Sequence, residues 1–509
     1  MVFSSTLFLF IFLPLVLLIY YLIPQKYVMA KNIELLIASL LFYAWGERIY
    51  VGLMIISICV NYIFGLLLEI FEKRKWRLTV LVISIVFNLG LLFFFKYINF
   101  FTNNAFPSIV LPIGISFFTF QALSYVVDVY RGTTKVDNLF NVGLYISFFP
   151  QLIAGPIVTH DEMLPQFKDI GTKRFDDDTF CRGLFIFILG MGKKVLIADT
   201  FGVAVDTGYG MLGEIGSMDA VLIMLFYTLQ LYFDFSGYCD MAIGIGKMMG
   251  IEITINFNSP YKACNIIDFW KRWHITLSRF FTKNIYIPLG GNRKGNARMY
   301  ANLFFVFFLS GLWHGAGWNY ILWGVMHGVL YCVTRWVQRH AKARIAENVS
   351  GGTEAEDNVY PGQREAQSIF NKTGRIIIHA CKVLVTFLYV NAAWVFFRSE
   401  SIGQAVELFK RMFTGGIAIP SVTIAEAFNL DEFWYVLKVL HLTDFTYSKY
   451  ILMVAFTIVI LLATFFGKNV QEIAKTWKMS WISAIVIAVV FVWCVVSLSG
   501  VSTFLYFNF

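Results

Sequence analysis

Among the seven histidines of this 509-residue chain, two have neighbours that suggest chemistry. His314 lies in the run Ser310-Gly311-Leu312-Trp313-His314-Gly315-Ala316-Gly317-Trp318-Asn319, between two apolar stretches long enough to enter a bilayer. An ionisable ring at such a depth costs folding free energy, which argues for a working group. A neutral imidazole can take the proton of an alcohol attacking a thioester, and burial favours that neutral form. A cavity within the membrane would also exclude water that hydrolyses the donor. Gly311, Gly315 and Gly317 permit a kink and close backbone approach, while Trp313 and Trp318 can shape a pocket. The plainer alternative is a histidine that hydrogen-bonds one helix to another.

His274 belongs to a basic, tryptophan-bearing segment from Asn265 to Lys283. On one continuous helix Trp270, His274, Leu277 and Phe281 share a stripe, with Lys271, Arg272 and Arg279 off it. His274 is therefore expected to point inward and to assist His314; alternatively the helix lies along the membrane interface and His274 is a polar member of its buried face. Lys271 and Arg272 are candidates for attracting an anionic donor. A further constellation, Asp234-Phe235-Ser236-Gly237-Tyr238-Cys239-Asp240, closes the apolar run 219–234. A carboxylate near the bilayer centre costs roughly 2.5–3.5 kcal/mol, so both should meet polar partners inside the protein. Orienting an imidazole and forming a structural hydrogen-bond network are both open to them. Asp234, Ser236, Tyr238, Asp240, Gln151, Trp313, Asn319 and His327 are the candidates for supporting the pocket. His160, His340, His379 and His441 read as loop or packing residues. No HExxH, P-loop or GxGxxG pattern occurs, and the seven cysteines are scattered singly, so no bound metal or tightly held cofactor is expected. The basic residues belong to membrane loops, which speaks against nucleic-acid recognition.

The elements that must hold these groups are helices. With 58% hydrophobic and 14% charged residues and a mean hydropathy of +0.67, the chain lies outside the range of soluble domains. Apolar segments near 6–23, 33–47, 51–70, 78–96, 108–128, 180–198, 219–234, 299–313, 317–334, 376–397, 450–467 and 481–500 predict an all-α, polytopic membrane protein. Roughly 11–13 membrane helices are expected, some re-entrant. The first segment reads as a retained anchor rather than a signal peptide. The net charge of +9 gathers in short connections such as 73–77, 271–283, 293–298 and 335–344, which places those loops in the cytoplasm and the N-terminus outside. Residues 1–100 read as plain N-terminal membrane helices and 101–340 as the core that encloses the cavity. There Gly, Pro, Asp and Gln interrupt the apolar runs, and the turn 149–156 reads as a re-entrant element. Residues 341–375 form a polar insert expected as a mobile cytoplasmic loop, in which the N-x-S/T patterns at Asn348 and Asn371 would stay unmodified. Residues 376–509 carry further membrane helices and an amphipathic outer segment at 398–450. No internal repeat supports a repeat-built transporter.

Four of these runs together, Pro150-Gln151-Leu152-Ile153-Ala154-Gly155-Pro156, Asp234 to Asp240, Phe269-Trp270-Lys271-Arg272-Trp273-His274 and Gly311-Leu312-Trp313-His314-Gly315-Ala316, resemble the membrane-bound O-acyltransferases. Val2-Phe3-Ser4-Ser5 and Phe504-Leu505-Tyr506-Phe507-Asn508-Phe509 are similar to the bacterial branch that includes the membrane subunit of alginate O-acetylation, so the likeness spans nearly the whole chain. The resemblance implies that His314 is the catalytic histidine and that His274 holds the second signature position. It further implies a funnel or tunnel joining a cytoplasmic donor side to an outer acceptor side. Acetyl-CoA or another acyl thioester would be the donor substrate, and an exported polysaccharide of alginate, cellulose or peptidoglycan type the ultimate acceptor. A periplasmic, outer-surface acetyltransferase partner and an acyl carrier are the implied proteins, with the chain multi-pass in the inner, cytoplasmic membrane among its lipids. A sister branch transfers D-alanine to teichoic acid. Outside this class, a transporter or channel lined by His314, Asp234 and Asp240, or a non-catalytic scaffold of a secretion complex, would fit the same intramembrane polar residues.

Overall fold

The computed structural model describes the chain except residues 108, 351–360, 429–434, 436–437, 442–444, 446, 501–503 and 506–509; for 342–350, 361–373 and 499–500 it gives only the backbone course. All regular structure among the described residues is helical. The longer α-helices are α1 (Leu13–Leu22), α2 (Val28–Gly46), α3 (Tyr50–Ile70), α4 (Arg74–Leu92), α5 (Ile115–Arg131), α6 (Leu139–Ser147), α7 (His160–Lys168), α8 (Asp177–Gly192), α9 (Asp199–Gly210) and α10 (Ser217–Met248). After them come α11 (Ile266–Arg272), α12 (Ile275–Phe281), α13 (Asn296–His314), α14 (Trp318–Ser350), α15 (Pro361–Arg398), α16 (Ile402–Thr414), α17 (Ser448–Phe466), α18 (Val470–Thr476) and α19 (Trp481–Val496).

Among the described residues six stretches are long and apolar enough to cross a membrane: Val28–Gly46, Tyr50–Ile70, Arg74–Phe101, Ser217–Met248, Gly374–Arg398 and Ser448–Phe466. The apolar helices Phe8–Leu22 and Trp481–Val496 are shorter, and the other runs of the sequence form helices that are shorter or more polar. Large apolar side chains such as Leu18, Leu41, Ile56 and Val86 face outward, as a hydrocarbon solvent permits. The molecule is a multi-pass membrane protein.

The chain divides into two compact units, Met1–Asn256 with Lys410–Ile460 and Lys468–Phe509, and Phe257–Phe409 with Leu461–Gly467. In the first, α3 and α4 are joined by Asn61 and Asn88, whose amides bond reciprocally at 2.7 and 3.2 Å. Helix α6 starts at the N-cap Asn138, whose side chain accepts from the Asn141 N–H, and the chain reverses in the turn 148–156 before α7. That turn is held by Phe149 N–H donating to Ser39 Oγ at 3.1 Å and by Gln151 Nε2 donating to Tyr145 O at 2.9 Å. Helices α8 and α10 touch backbone to backbone: a Cβ on Gly190 would lie 2.8 Å from Gly237 O, and one on Gly244 2.6 Å from Gly183 O.

In the second unit the backbones of α13 and α14 meet in the same way, at Gly311 and Gly324. The polar insert departs from the expected loop. Helix α14 continues through Ser350 and α15 begins at Pro361, so the flanks of the insert, including Asn348 and Asn371, are helical, while its centre at 351–360 lies outside the described residues. The run Ala341-Lys342-Ala343-Arg344-Ile345-Ala346-Glu347 consists largely of strong helix formers, a propensity that overrides its polarity. Within 398–450, α16 is the expected amphipathic helix, burying Ala405 and Leu408 and exposing Val406 and Phe413.

Candidate active site

The site is built from α11 to α15. The stripe expected on one continuous helix is broken where it matters: α11 ends at Arg272, α12 starts at Ile275, and His274 stands between them at φ 45°, ψ 53°, in the left-handed region. A residue other than glycine there is strained, and such strain is held by the surroundings. The inward direction survives the break, since His274 is fully buried and its ring lies 6.1 Å from that of Trp313. His274 is outside the six long apolar helices, and burial lowers its imidazole to about 3, leaving it neutral at physiological pH.

His314 is the last residue of α13, followed by extended backbone at Gly315, so Gly315 ends the helix where a kink was expected. Gly311 does provide the close approach: a Cβ there would sit 2.4 Å from Tyr320 O. The His314 imidazole is only 3% exposed, with ring centroids of Trp313 at 4.8 Å and of Trp323 and Phe397 at 5.1 Å. It is enclosed by aromatic rings instead of facing the open passage that the sequence suggested.

Trp323 is the centre of this lattice. Its ring also lies 4.8 Å from His327, 5.8 Å from Trp270, 5.5 Å from Trp394 and 5.2 Å from Phe397. His327 accepts a hydrogen bond at 3.3 Å from Trp270 Nε1 to its Nδ1, and because indole nitrogen only donates, the His327 proton is on Nε2. Asn319 does not face the imidazoles; its amide caps the end of α15, donating to Ser399 O at 2.7 Å and Phe396 O at 3.3 Å.

Beside the lattice opens a cavity of about 610 Å³. Lys271, Arg279, Lys283 and Arg335 line it together with Trp270, Phe281, Tyr286, Phe307, Tyr331, several aliphatic side chains and the hydroxyls of Ser278, Thr282 and Ser310. Among the described residues, a lining of four cations and no carboxylate over aromatic walls suits an anionic ligand with an apolar body. Trp270 belongs both to the cavity wall and to the lattice, whereas His314 is absent from the lining. Lys271 is where an anion-attracting residue was expected. Arg272 is not: its Nε pairs with Asp268 at 2.9 Å and a terminal nitrogen donates to Asn258 O at 3.3 Å.

The remaining candidates lie in the other unit and are tied up there. Lys194 Nζ bridges Asp199 and Asp234 at 2.8 and 2.7 Å, and Asp234 also accepts from the Leu505 N–H at 3.0 Å. Lys193 Nζ pairs with Asp240 at 2.6 Å, with Ser236 Oγ at 3.4 Å, and Gln471 donates to Asp240 at 2.8 Å. The Tyr238 ring is flanked by Phe3 at 4.8 Å and Phe504 at 4.9 Å. Of the two roles open to the carboxylates, the structural network is the one seen; their bonds go to lysines, an amide and the backbone. Gln151 holds its own turn, as described above. Lys193 and Lys194 were missed although the signal was present, two cations in the middle of an apolar run that demand buried partners. Among the described residues no three His, Cys, Asp or Glu side chains gather to hold a metal ion.

Comparison with known proteins agrees with the resemblance. Residues 135–346 match the model of the membrane-bound O-acyltransferase family. The chain is 35% identical to a peptidoglycan O-acetyltransferase of Helicobacter pylori over 100% of its own length and 98% of that protein. It is 38% identical to a probable alginate O-acetylase, AlgI, of Pseudomonas aeruginosa over 82% of this chain and 75% of that one. A teichoic acid D-alanyltransferase of Bacillus subtilis is 31% identical over 43% of this chain and 57% of its own. The helical membrane fold, the match to the family model and the acetyltransferase relatives matched over most or all of the chain together show that the chain is an acyltransferase belonging to the membrane-bound O-acyltransferase family.

Proposed function

We propose that this protein transfers acetyl from a cytoplasmic thioester donor, acetyl-CoA or an acyl carrier, toward an exported polysaccharide, with His314 as the general base. The observation that carries this reading is the cationic, aromatic-walled cavity against the helix that bears His314. Lys271, Arg279, Lys283 and Arg335 draw in the phosphates of the donor, and its pantetheine arm lies along Trp270, Phe281 and Phe307. Neutral His274, behind Trp313, supports the wall of aromatic rings around His314. The relatives named for alginate and peptidoglycan support a polysaccharide acceptor. A location in the cytoplasmic membrane and a second acetyltransferase on the outer surface that completes delivery belong to the same proposal.

The test is His314→Ala in cells and in isolated membranes supplied with labelled acetyl-CoA. Loss of acetylated polymer with unchanged membrane insertion supports the assignment; full acetylation by the variant overturns it. Label that crosses the membrane while still on its carrier would identify a transporter instead.

A further inference from the structure

Ser310 belongs to the lining of the cavity. It is one turn before His314 on α13, and residues spaced i, i+4 on a helix lie on the same face with Cβ atoms about 5–6 Å apart. Ser310 lines the cavity and His314 does not, so a thioester seated there meets the serine first. The other small hydroxyls of the wall are engaged with the backbone: Ser278 Oγ donates to Trp270 O at 3.5 Å and Thr282 Oγ1 to Ser278 O at 2.7 Å. Ser310 makes no such bond among the described residues, and its side chain is not one of the sealed, unpaired polar groups of the interior. A hydroxyl at the edge of a donor cavity, with an imidazole one turn behind it, has the ingredients of an activated nucleophile.

We propose that Ser310 carries the acyl group as a covalent ester between donor and acceptor. This rests on the reading above, in which the cavity takes the thioester and His314 is the base. In the first half, Ser310 Oγ attacks the thioester carbonyl while His314 takes the hydroxyl proton. The C–S bond then breaks, and the thiolate leaves with the proton returned by the imidazolium. Acyl-serine and free thiol are the products. In the second half, an acceptor hydroxyl attacks the ester carbonyl and gives its proton to His314. The bond to Ser310 breaks, and the serine oxygen recovers that proton. Division into two halves lets the thiol leave before the acceptor arrives, and the rings around His314 keep water from competing for the proton.

The experiment uses the full chain in lipid nanodiscs with [14C]acetyl-CoA and no acceptor. The expected result is label on the protein that alkaline hydroxylamine releases and that peptide mapping places at Ser310. Ser310→Ala should lose both the label and transfer, by at least about 100-fold. Ser310→Cys should retain label as a thioester that neutral hydroxylamine cleaves, which also reports that the substituted chain folds. A wild-type chain that turns over without becoming labelled, label at another residue, or full transfer by Ser310→Ala would overturn the proposal. Full activity in His314→Ala would sink the underlying reading, whereas an inactive His314→Ala beside an active Ser310→Ala would remove the serine alone.

Discussion

Gly311→Ala is the substitution that isolates how the site is held. By propensity alone an alanine at this position of α13 should stabilise the helix by up to about 1 kcal/mol. The structure reverses that expectation. The new Cβ would lie 2.4 Å from Tyr320 O and 3.1 Å from Gly324 Cα, both backbone atoms that no rotamer change can move. Restoring an ordinary contact requires α13 and α14 to part by about 1 Å at this level. His314 is three residues further along α13, and Trp323, which packs on it at 5.1 Å, is on α14. A displacement of about 1 Å at a reacting group costs on the order of 100-fold in rate. We therefore expect Gly311→Ala to insert normally, to melt at a lower temperature in detergent, and to lose about 100-fold in kcat for acetyl transfer from labelled acetyl-CoA. Gly90→Ala in α4, where a Cβ meets nothing within 4 Å, is the control and should keep full activity. A Gly311→Ala enzyme with wild-type kcat would refute the claim that this backbone contact positions His314.

Lys194→Met would leave Asp199 and Asp234 buried without their cation, at a cost of about 3–5 kcal/mol; adding Asp199→Asn and Asp234→Asn should recover much of the loss in a thermal melt. Reversing Arg279 and Lys283 to Glu should raise KM for acetyl-CoA far more than it lowers kcat, and the wild-type advantage should shrink as salt is added. Burial lowers His160 to about 4 from its usual 6.5, so the folded state holds it neutral. Its contribution is complete above pH 6.5 and is lost as pH falls toward 4, amounting to about 3 kcal/mol by linkage. His160→Gln should flatten that acid limb of stability measured in detergent.

Much of this architecture was legible because membrane solvation acts on every residue of a segment at once. The helical class, the turn at 149–156 and the inward His274 follow from apolar runs and from the residues that break them. The partners of Asp234 and Asp240 were not legible. Carboxylates announce only that a partner must exist; Lys193 and Lys194 signalled the same need from within an apolar run, but nothing in the spacing joins the two sets. The break at Trp273 and His274 was equally hidden, since a stripe of apolar residues survives when one helix becomes two. Trp323 became visible as the centre of the site only through distances among rings from four helices. The i, i+4 spacing of Ser310 and His314 was present in the sequence, but its meaning came from the cavity that includes one and omits the other.

The two aromatic rings that flank Tyr238 come from positions 3 and 504. At synthesis rates of about 5–20 residues per second, roughly 25 to 100 s pass between their appearance. For that interval the nascent protein must remain in the bilayer with this groove unfilled and Asp234 lacking the Leu505 amide. Late closure of this kind makes the meeting of these distant positions a checkpoint for assembly, at which quality control can distinguish closed molecules from open ones.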